Sequence, residues 1–227
     1  MKKIIALLLI PALFINSAYA TSIFNSDVEN LIATLKAPTP IIKDLKQLTD
    51  EIGGRLTGTQ ANKNSVNWAL KKFHHAGVSA KKESFTMPRA WLEKSISGKV
   101  FNNKVSFSPR IAAMPFTKKT HYQGITAKIT NLYKGSASEF DKLNKDNFLK
   151  NKWLLVETDL LNDESGINGL FQEYVHAIGI EKRAVAVEAA GIIYMSSRPQ
   201  NLLYRHLPSA GANNKLAIVV MERESAL

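Results

Sequence analysis

Histidine and acidic side chains are the groups in this sequence that could hold a catalytic metal ion. Zinc sites need several imidazoles or carboxylates that converge from defined spacings. No histidine lies in an H-E-x-x-H motif, and none is followed by an aspartate two positions later. Glu173 and His176 share one face of a predicted helix, and an isolated pair at positions i and i+3 is typical of a solvated or locally hydrogen-bonded surface. The five histidines are His74, His75, His121, His176 and His206.

Nucleophilic and nucleotide-binding motifs are also missing from the sequence. There is no G-x-S-x-G elbow, no P-loop and no G-x-G-x-x-G. Ser79 and Lys82 match S-x-x-K, but they follow a helix-ending glycine and stand among further lysines, which indicates an exposed loop. With no cysteine, the chain has no thiol nucleophile, no thiolate metal ligand and no disulfide. We therefore expect no catalytic, cofactor-binding or metal-binding residue in this chain.

The charge of the chain is strongly basic. Its 227 residues include 30 lysines and arginines against 19 acidic residues, a net charge of +11. Nucleic-acid binding would need these charges gathered on one face with aromatic or helical readers. The lysines are instead scattered, with small clusters such as Lys71-Lys72 and Lys118-Lys119. We interpret them as a solvated surface and expect no nucleic-acid partner, while a weak affinity for anionic envelope surfaces stays open.

The first twenty residues have the pattern of a secretory signal peptide. Two lysines precede an apolar run from Ile4 to Ile15, and Ala18-Tyr19-Ala20 then forms an A-x-A cleavage site. The apolar run is shorter than the roughly 20 residues that a membrane span needs. No later segment approaches that length. We expect cleavage near Ala20, export to the periplasm or medium, and no membrane span in the mature protein.

Hydrophobic spacing predicts an α+β fold whose C-terminal part is α/β-like. The N-terminal third shows helical spacing, and the stretch between residues 78 and 133 shows short β-type runs. We expect those runs to form a small, mainly antiparallel sheet or barrel. In the last third, strands and helices alternate. The predicted helices there are Glu139–Leu143 capped by Ser138, Leu170–Ile178 and Lys182–Ala190, and the predicted strands are Trp153–Glu157, Ile192–Ser196 and Leu216–Met221.

A segment before the third predicted helix resembles a known family. Leu48-Thr49-Asp50-Glu51-Ile52-Gly53-Gly54-Arg55-Leu56-Thr57-Gly58-Thr59 precedes a helix that contains Trp68 and Phe73 and ends at Gly77. It resembles the opening of secreted zinc exopeptidases of metallopeptidase family 28, which includes plasma glutamate carboxypeptidase and bacterial aminopeptidases. Apart from the resemblance, Gly53-Gly54 permits a tight turn and Gly58 a close backbone approach. Arg55 fits either an ion pair with a neighbouring domain or a surface position beside the turn.

A second stretch resembles the protease-associated (PA) domain of the same enzymes. Ala189-Ala190-Gly191 ends a predicted helix and feeds a strand; Tyr204-Arg205-His206 follows, and then the last strand and an acidic helix start at Glu222. After the signal peptide over residues 1–20, the resemblance implies an N-terminal helical segment of the peptidase over 21–95 and a PA-like domain over 96–227.

Complete members of this family hold two zinc ions with two histidines, acidic ligands and a bridging aspartate, and a glutamate acts as general base. Those residues lie beyond the PA domain, in a histidine-x-aspartate segment and later ones, and this sequence has no match to them. The resemblance therefore implies a chain that is inactive alone, and peptide or protein substrates for the complete enzyme.

The sequence is compatible with two classes of function. One expectation is that the chain is the N-terminal and PA-domain portion of a zinc-dependent aminopeptidase or carboxypeptidase. It is favoured because the sequence stops one turn into a predicted helix. The alternative is an exported, non-enzymatic PA-type module that binds protein or peptide. The sequence does not distinguish an aminopeptidase from a carboxypeptidase, and it leaves the oligomeric state open.

Overall fold

The computed structural model describes residues 26–161, 166–204, 206 and 208–227. The predicted signal peptide lies outside these residues. The chain forms two compact units that divide between Phe85 and Thr86. Across the described ranges, no helix combines the length and the apolar character that crossing a bilayer requires.

The first unit is helical, as the spacing predicts. Helix α1 covers residues 26–36 and α3 covers Gln60–His75. Between them, α2 covers Ile41–Lys46 and continues directly into a π-helical turn at Gln47–Ile52. Thr59 caps α3 by accepting a hydrogen bond from the backbone N–H of Asn62. The side chains of Trp68 and Lys72 tie α3 to the preceding helical segment, through Gln47 at 3.0 Å and Asp44 at 2.5 Å.

The second unit contains a five-stranded mixed sheet and a separate hairpin. Its helices are α4 (Ala137–Leu143), α5 (Gly166–Ala186) and the short α6 (Arg223–Ala226). The hairpin pairs β1 with β2, and the sheet has the order β3-β7-β6-β5-β4. The strands are β1 (Val100–Phe101), β2 (Ser106–Phe107), β3 (Ile111–Ala113), β4 (Ile129–Asn131), β5 (Trp153–Val156), β6 (Gly191–Met195) and β7 (Ala217–Met221).

The expectation of a mainly antiparallel sheet or barrel holds for the β1–β2 hairpin but is wrong for the five-stranded sheet, which is mixed. β4, β5, β6 and β7 run parallel, and β3 alone pairs antiparallel, with β7. The reason lies in the connections: α4 links β4 to β5 and α5 links β5 to β6, and a helical crossover returns the chain in the same direction. The sheet is open, with β3 and β4 at its edges.

The core lies between one face of this sheet and helices α4 and α5. Leu154, Ile192 and Ile218 occupy the centres of β5, β6 and β7 and are fully buried. Ile180 and Ala184 of α5 belong to the same apolar cluster. Burial on both faces explains why β6 is an unbroken apolar run.

Two local expectations need correction. α5 is one helix where two were predicted, because its core-facing residues continue past Gly179, and the Arg183 side chain lies over that glycine. The cap of α4 is Ser136, two residues before the predicted Ser138. Ser136 and Glu139 form a complete capping box, which satisfies two backbone N–H groups at the start of the helix.

Candidate functional site

A cleft of about 730 Å³ opens in the second unit between α5 and the carboxyl ends of β5 and β6. Val156, Ala177 and Ile180 contribute apolar surface to it, and Glu157, Thr158 and Asp159 line it where the chain leaves β5. Ligands of open α/β sheets bind in the crevice outside the carboxyl ends of parallel strands. The cleft is therefore the candidate functional site of this unit.

Glu173 and His176, the pair singled out by their spacing, both line this cleft. Glu173 Oε2 accepts a hydrogen bond from the hydroxyl of Ser197 at 3.2 Å. His176 Nε2 lies 2.7 Å from the carbonyl oxygen of Lys134. Each side chain thus has its own partner, on a segment distant in sequence, although the two share one cleft.

Tyr194 is a cleft residue that the sequence did not single out. It is the fourth residue of β6, it lines the cleft, and only 4% of its surface is exposed. Its hydroxyl has no hydrogen-bond partner among the described residues. Burial raises the pKa of this phenol well above its ordinary value, and the charges of Glu181 and Glu173 raise it further. The hydroxyl is therefore a neutral group in a negative field.

Glu181 of α5 is a buried acidic residue that does not itself line the cleft. Its Oε2 accepts hydrogen bonds from the backbone N–H and the hydroxyl of Ser209, at 2.6 and 2.7 Å. Burial raises the pKa of Glu181, although the Ser209 hydrogen bonds and the charge of His206 oppose the shift. The sequence indicates the burial of Glu181 only through its spacing, because Glu181 follows the buried Ala177 by four residues and so lies on the same, core-facing side of α5.

The ring of His206 completes this polar corner. It lies 5.8 Å from the ring of Tyr174 in an edge-to-face arrangement, and 6.0 Å from the ring of Tyr194. His206 and Tyr194 both line the cleft. The structure therefore brings together one histidine, one tyrosine and two glutamates that the sequence scatters over α5, β6 and a later loop.

Two basic side chains also line the cleft, at other points of its wall. Lys134 forms an ion pair with Asp159. Arg183 lies with its guanidinium 6.0 Å from the ring of Phe140 and over the backbone of Gly179. Lys134 is neutralised by its partner, whereas Arg183 forms no ion pair with a carboxylate of the described residues.

The donors of the cleft do not make a zinc site. Over residues 26–161 and the later described positions, no three histidines, aspartates or glutamates converge as a metal would require. Glu173 and His176 are turned to Ser197 and Lys134 instead. The residues present do not fit the two zinc ions that the family resemblance implies, so we derive no metal chemistry at this cleft.

The residues of the motif at positions 48–59 stabilise the turn that they themselves form. Gly53 and Gly58 adopt φ angles of 76° and 88°, which glycine reaches without strain. Nothing lies within 4 Å of a Cβ built on Gly58, so backbone conformation and not close approach is the reason for this glycine. The guanidinium of Arg55 donates to the carbonyl oxygens of Leu48 and Gly53, which fits the surface position beside the turn.

Ser79 and Lys82 lie in a segment without helix or strand. Lys82 Nζ contacts Asn67 Oδ1 at 2.5 Å, on α3. The loop setting expected from the sequence is confirmed, and the segment lacks the helical turn that would bring a serine and a lysine at this spacing together.

Comparison with known proteins gives likenesses of fold. No family model and no curated protein matches the chain. Two structures of BSAP, a zinc aminopeptidase from Bacillus subtilis, match with TM-scores of 0.51 and 0.55 at 21% and 20% identity, each over 80% of this chain and 38% of theirs. A Peptidase M28 precursor from Shewanella amazonensis SB2B matches with a TM-score of 0.62 at 18% identity, over 89% of this chain and 46% of that chain.

This chain therefore spans less than half the length of the peptidase structures that it matches. At these identities the likeness shows the fold, which is that of a part of zinc aminopeptidase structures.

Proposed function

We propose that this chain is the N-terminal and PA-type portion of an exported zinc-dependent exopeptidase, with the catalytic zinc domain supplied by sequence that this chain does not contain. The observation that carries the proposal is the asymmetry of coverage. Between 80% and 89% of this chain matches peptidase structures, while more than half of each peptidase has no counterpart here.

The first unit adds support through its surface. Leu35, Ile41 and Ile42 on α1 and α2 are 68%, 66% and 74% exposed. Large apolar side chains left exposed in this number are a feature of surfaces that contact another protein or domain. An additional domain of the same polypeptide would cover them.

The resemblance at residues 48–59 supports the same proposal, because that motif opens zinc exopeptidases of family 28. In the complete enzyme, two zinc ions and a glutamate base would hydrolyse the terminal peptide bond of a peptide substrate. The residues of this chain supply none of those ligands, so their role in the proposal is structural and recognition-related.

The test compares the chain with and without the sequence that follows it. The coding sequence after the codon for Leu227 is determined, and the extended and the 227-residue proteins are assayed for release of amino acids from peptides, with and without a zinc chelator. We expect a histidine-x-aspartate segment in the extension, chelator-sensitive activity in the extended protein and none in the 227-residue chain.

Chelator-sensitive peptidase activity of the 227-residue chain alone would contradict the proposal. So would an inactive extended protein that binds no zinc.

The second candidate function is that of an exported, non-enzymatic PA-type binding module. The observation that favours it is the cleft of about 730 Å³, whose walls come from the second unit alone. Under this alternative the 227-residue chain unfolds cooperatively and binds a ligand without any peptidase partner.

A further inference from the structure

We propose that the cleft between α5 and the carboxyl ends of β5 and β6 binds a carboxylate group attached to an apolar substituent, with the carboxylate held by the guanidinium of Arg183 beside the backbone of Gly179. This inference goes beyond the proposed function, because it concerns the second unit of this chain and needs no zinc domain.

The guanidinium of Arg183 is a cationic donor group that a ligand can reach. The residue lines the cleft and is only half-buried. Within the described part of the chain it forms no ion pair, and its side chain lies beside the ring of Phe140, at 6.0 Å. A guanidinium that stacks on an aromatic face keeps its N–H edges free. The donors of Arg183 therefore remain available to an anion.

Gly179 determines where this guanidinium lies. It stands in the interior of α5, where glycine is less favourable than alanine, and Arg183 follows it by one helical turn on the same face. A Cβ built on Gly179 would lie 2.8 Å from Nη1 of Arg183 and 3.9 Å from Nη2. Because that Cβ is missing, the Arg183 side chain can fold back along α5 and lie against the backbone of Gly179.

Two carboxylates that line the cleft are held by other groups. Asp159 forms an ion pair with Lys134. Glu157 Oε1 accepts a hydrogen bond from the side-chain amide of Asn131 at 2.5 Å. Neither carboxylate pairs with Arg183, so the charge of the guanidinium is left for a ligand.

Glu173 is the acidic residue of α5 in the cleft, and its charge is partly offset. It precedes Gly179 by six residues, which is about 9 Å along the helix axis. The hydroxyl of Ser197 donates to Glu173 and accepts from the guanidinium of Arg198 at 3.3 Å. An anion beside Gly179 therefore meets Arg183 in direct contact, while Glu173 lies more than one helical turn away.

One free guanidinium favours a carboxylate as the anion. Its planar pairs of N–H groups match the two oxygens of a carboxylate, and one positive charge balances one negative charge. A phosphate dianion would need a second cation. Lys134 is paired with Asp159, and Nε2 of His176 is directed to the carbonyl oxygen of Lys134 at 2.7 Å. Neither group is therefore free to serve as that second cation.

The wall of the cleft beside Gly179 is apolar and accessible. Val175 lines the cleft one helical turn before Gly179, on the same face of α5, and is 44% exposed. Leu161 also lines the cleft and is half-buried. A ligand whose carboxylate contacts Arg183 can therefore place an apolar group on Val175 without entering the buried core. The cleft volume of about 730 Å³ accommodates both parts of such a ligand.

The experiment titrates the ¹⁵N-labelled 227-residue chain with N-acetyl-L-leucine and follows the backbone N–H signals of Gly179 and Val175 by NMR. We expect saturable shifts in the millimolar range, because an ion pair with a partly exposed guanidinium is weak. N-acetyl-L-leucinamide is the matched probe without the charge, and we expect it not to bind. Acetate, which lacks the apolar group, and inorganic phosphate should both bind more weakly than N-acetyl-L-leucine.

Two variants test the roles of Arg183 and Gly179 separately. Arg183→Gln should weaken binding of N-acetyl-L-leucine about tenfold, because it removes the charged fork. Gly179→Ala keeps every charge but places a Cβ where Nη1 lies, so it should weaken binding severalfold. Its urea midpoint should not fall, because alanine is the better helix former and the Arg183 side chain can move aside.

Arg110→Gln is the control for the change in charge. Arg110 is exposed and lies outside the cleft lining, so this variant should bind N-acetyl-L-leucine with unchanged affinity.

Four results would overturn the inference. They are the absence of saturable shifts up to about 50 mM N-acetyl-L-leucine, equal binding of the neutral amide, unchanged affinity in Arg183→Gln, and tighter binding of inorganic phosphate than of N-acetyl-L-leucine. Zinc-dependent peptidase activity, present or absent, leaves each of these readouts unaffected, so failure here is distinguishable from failure of the proposed function.

Discussion

The carboxylate of Glu181 is joined to Ser209 by two hydrogen bonds that span 28 residues of sequence, from the backbone N–H at 2.6 Å and the hydroxyl at 2.7 Å. This relationship fastens the loop before β7 to the buried side of α5. It also leaves Oε1 of the same carboxylate without a partner among the described residues. The contribution of these hydrogen bonds to stability can therefore be measured by substituting either Ser209 or Glu181.

Ser209→Ala should lower the free energy of unfolding by about 1–2 kcal/mol, because Glu181 loses one of its two donors while it stays buried. Urea denaturation of the purified chain measures the change. Ser138→Ala is a suitable control, since that hydroxyl contacts only the Ser136 hydroxyl among the hydrogen bonds described. Equal stability of the Ser209→Ala variant and the wild type would contradict the importance of this bond.

The stability of the second unit should depend on pH through Glu181. Burial raises the pKa of this carboxyl above its ordinary value of 4.5, so its protonated form is favoured in the folded state. The associated stability is fully present below the unfolded pKa and is lost as the pH rises through the folded pKa. Glu181→Gln stays neutral at every pH and escapes that loss.

The measurement compares Glu181→Gln with the wild type in urea at several pH values. We expect the stability of the variant, relative to the wild type, to rise as the pH is raised from below 4.5 toward neutrality. A difference that stays constant with pH, or that changes in the opposite direction, would show that Glu181 is ionised at least as readily in the folded state as in the unfolded one.

The capping box of α4 predicts a contrast between two nearby serines. Ser136→Ala removes the oxygen that accepts from the N–H of Glu139 and should cost about 1 kcal/mol of unfolding free energy. Ser138→Ala lies inside the helix and should cost little, because alanine is the better helix former. Thermal or urea unfolding distinguishes the two; equal losses would contradict the Ser136 cap, and a larger loss in Ser138→Ala would favour the cap that the sequence predicted.

Acid should weaken the same cap. Burial opposes ionisation of Glu139, but hydrogen bonds from Ser136, Lys134 and Gly135 outweigh it and lower the pKa of this carboxyl. Its stabilising contribution is present above the unfolded pKa and is lost as the pH falls through the folded pKa. The cost of Ser136→Ala should therefore shrink in acid, which the same unfolding series measures below pH 4.5.

Gly191→Ala should be strongly destabilising, by about 2 kcal/mol or more. A Cβ on Gly191 would lie 2.5 Å from the carbonyl oxygen of Ala217 and closer still to the indole of Trp153. Because the neighbouring strand is backbone, it cannot move aside as a flexible side chain can. Gly54→Ala is the control, since nothing lies within 4 Å of the corresponding Cβ. Unfolding in urea measures both, and a stable Gly191→Ala variant would mean that the β6–β7 spacing relaxes.

Strand and helix positions in the second unit were largely readable from the sequence. The apolar runs at β5, β6 and β7 stand within one residue of their predicted bounds, because a buried parallel strand needs an unbroken apolar run. The direction of pairing was not readable. An unbroken apolar run shows that a strand is buried on both faces, but it does not say which strand lies beside it or in which direction; the crossover helices α4 and α5 decide that at the level of the whole unit.

The sequence by itself determined that this chain has no cysteine chemistry and no recognisable metal or nucleotide motif, because those functions need residue types or spacings that can be counted. It also determined that Glu173 and His176 share a helix face. Only the tertiary structure decided that Glu173 and Tyr194, on different elements, line one cleft and that Glu181 is buried. The physical reason is that a site of this kind is built by packing α5 on the parallel sheet, and packing joins residues without regard to their distance along the chain.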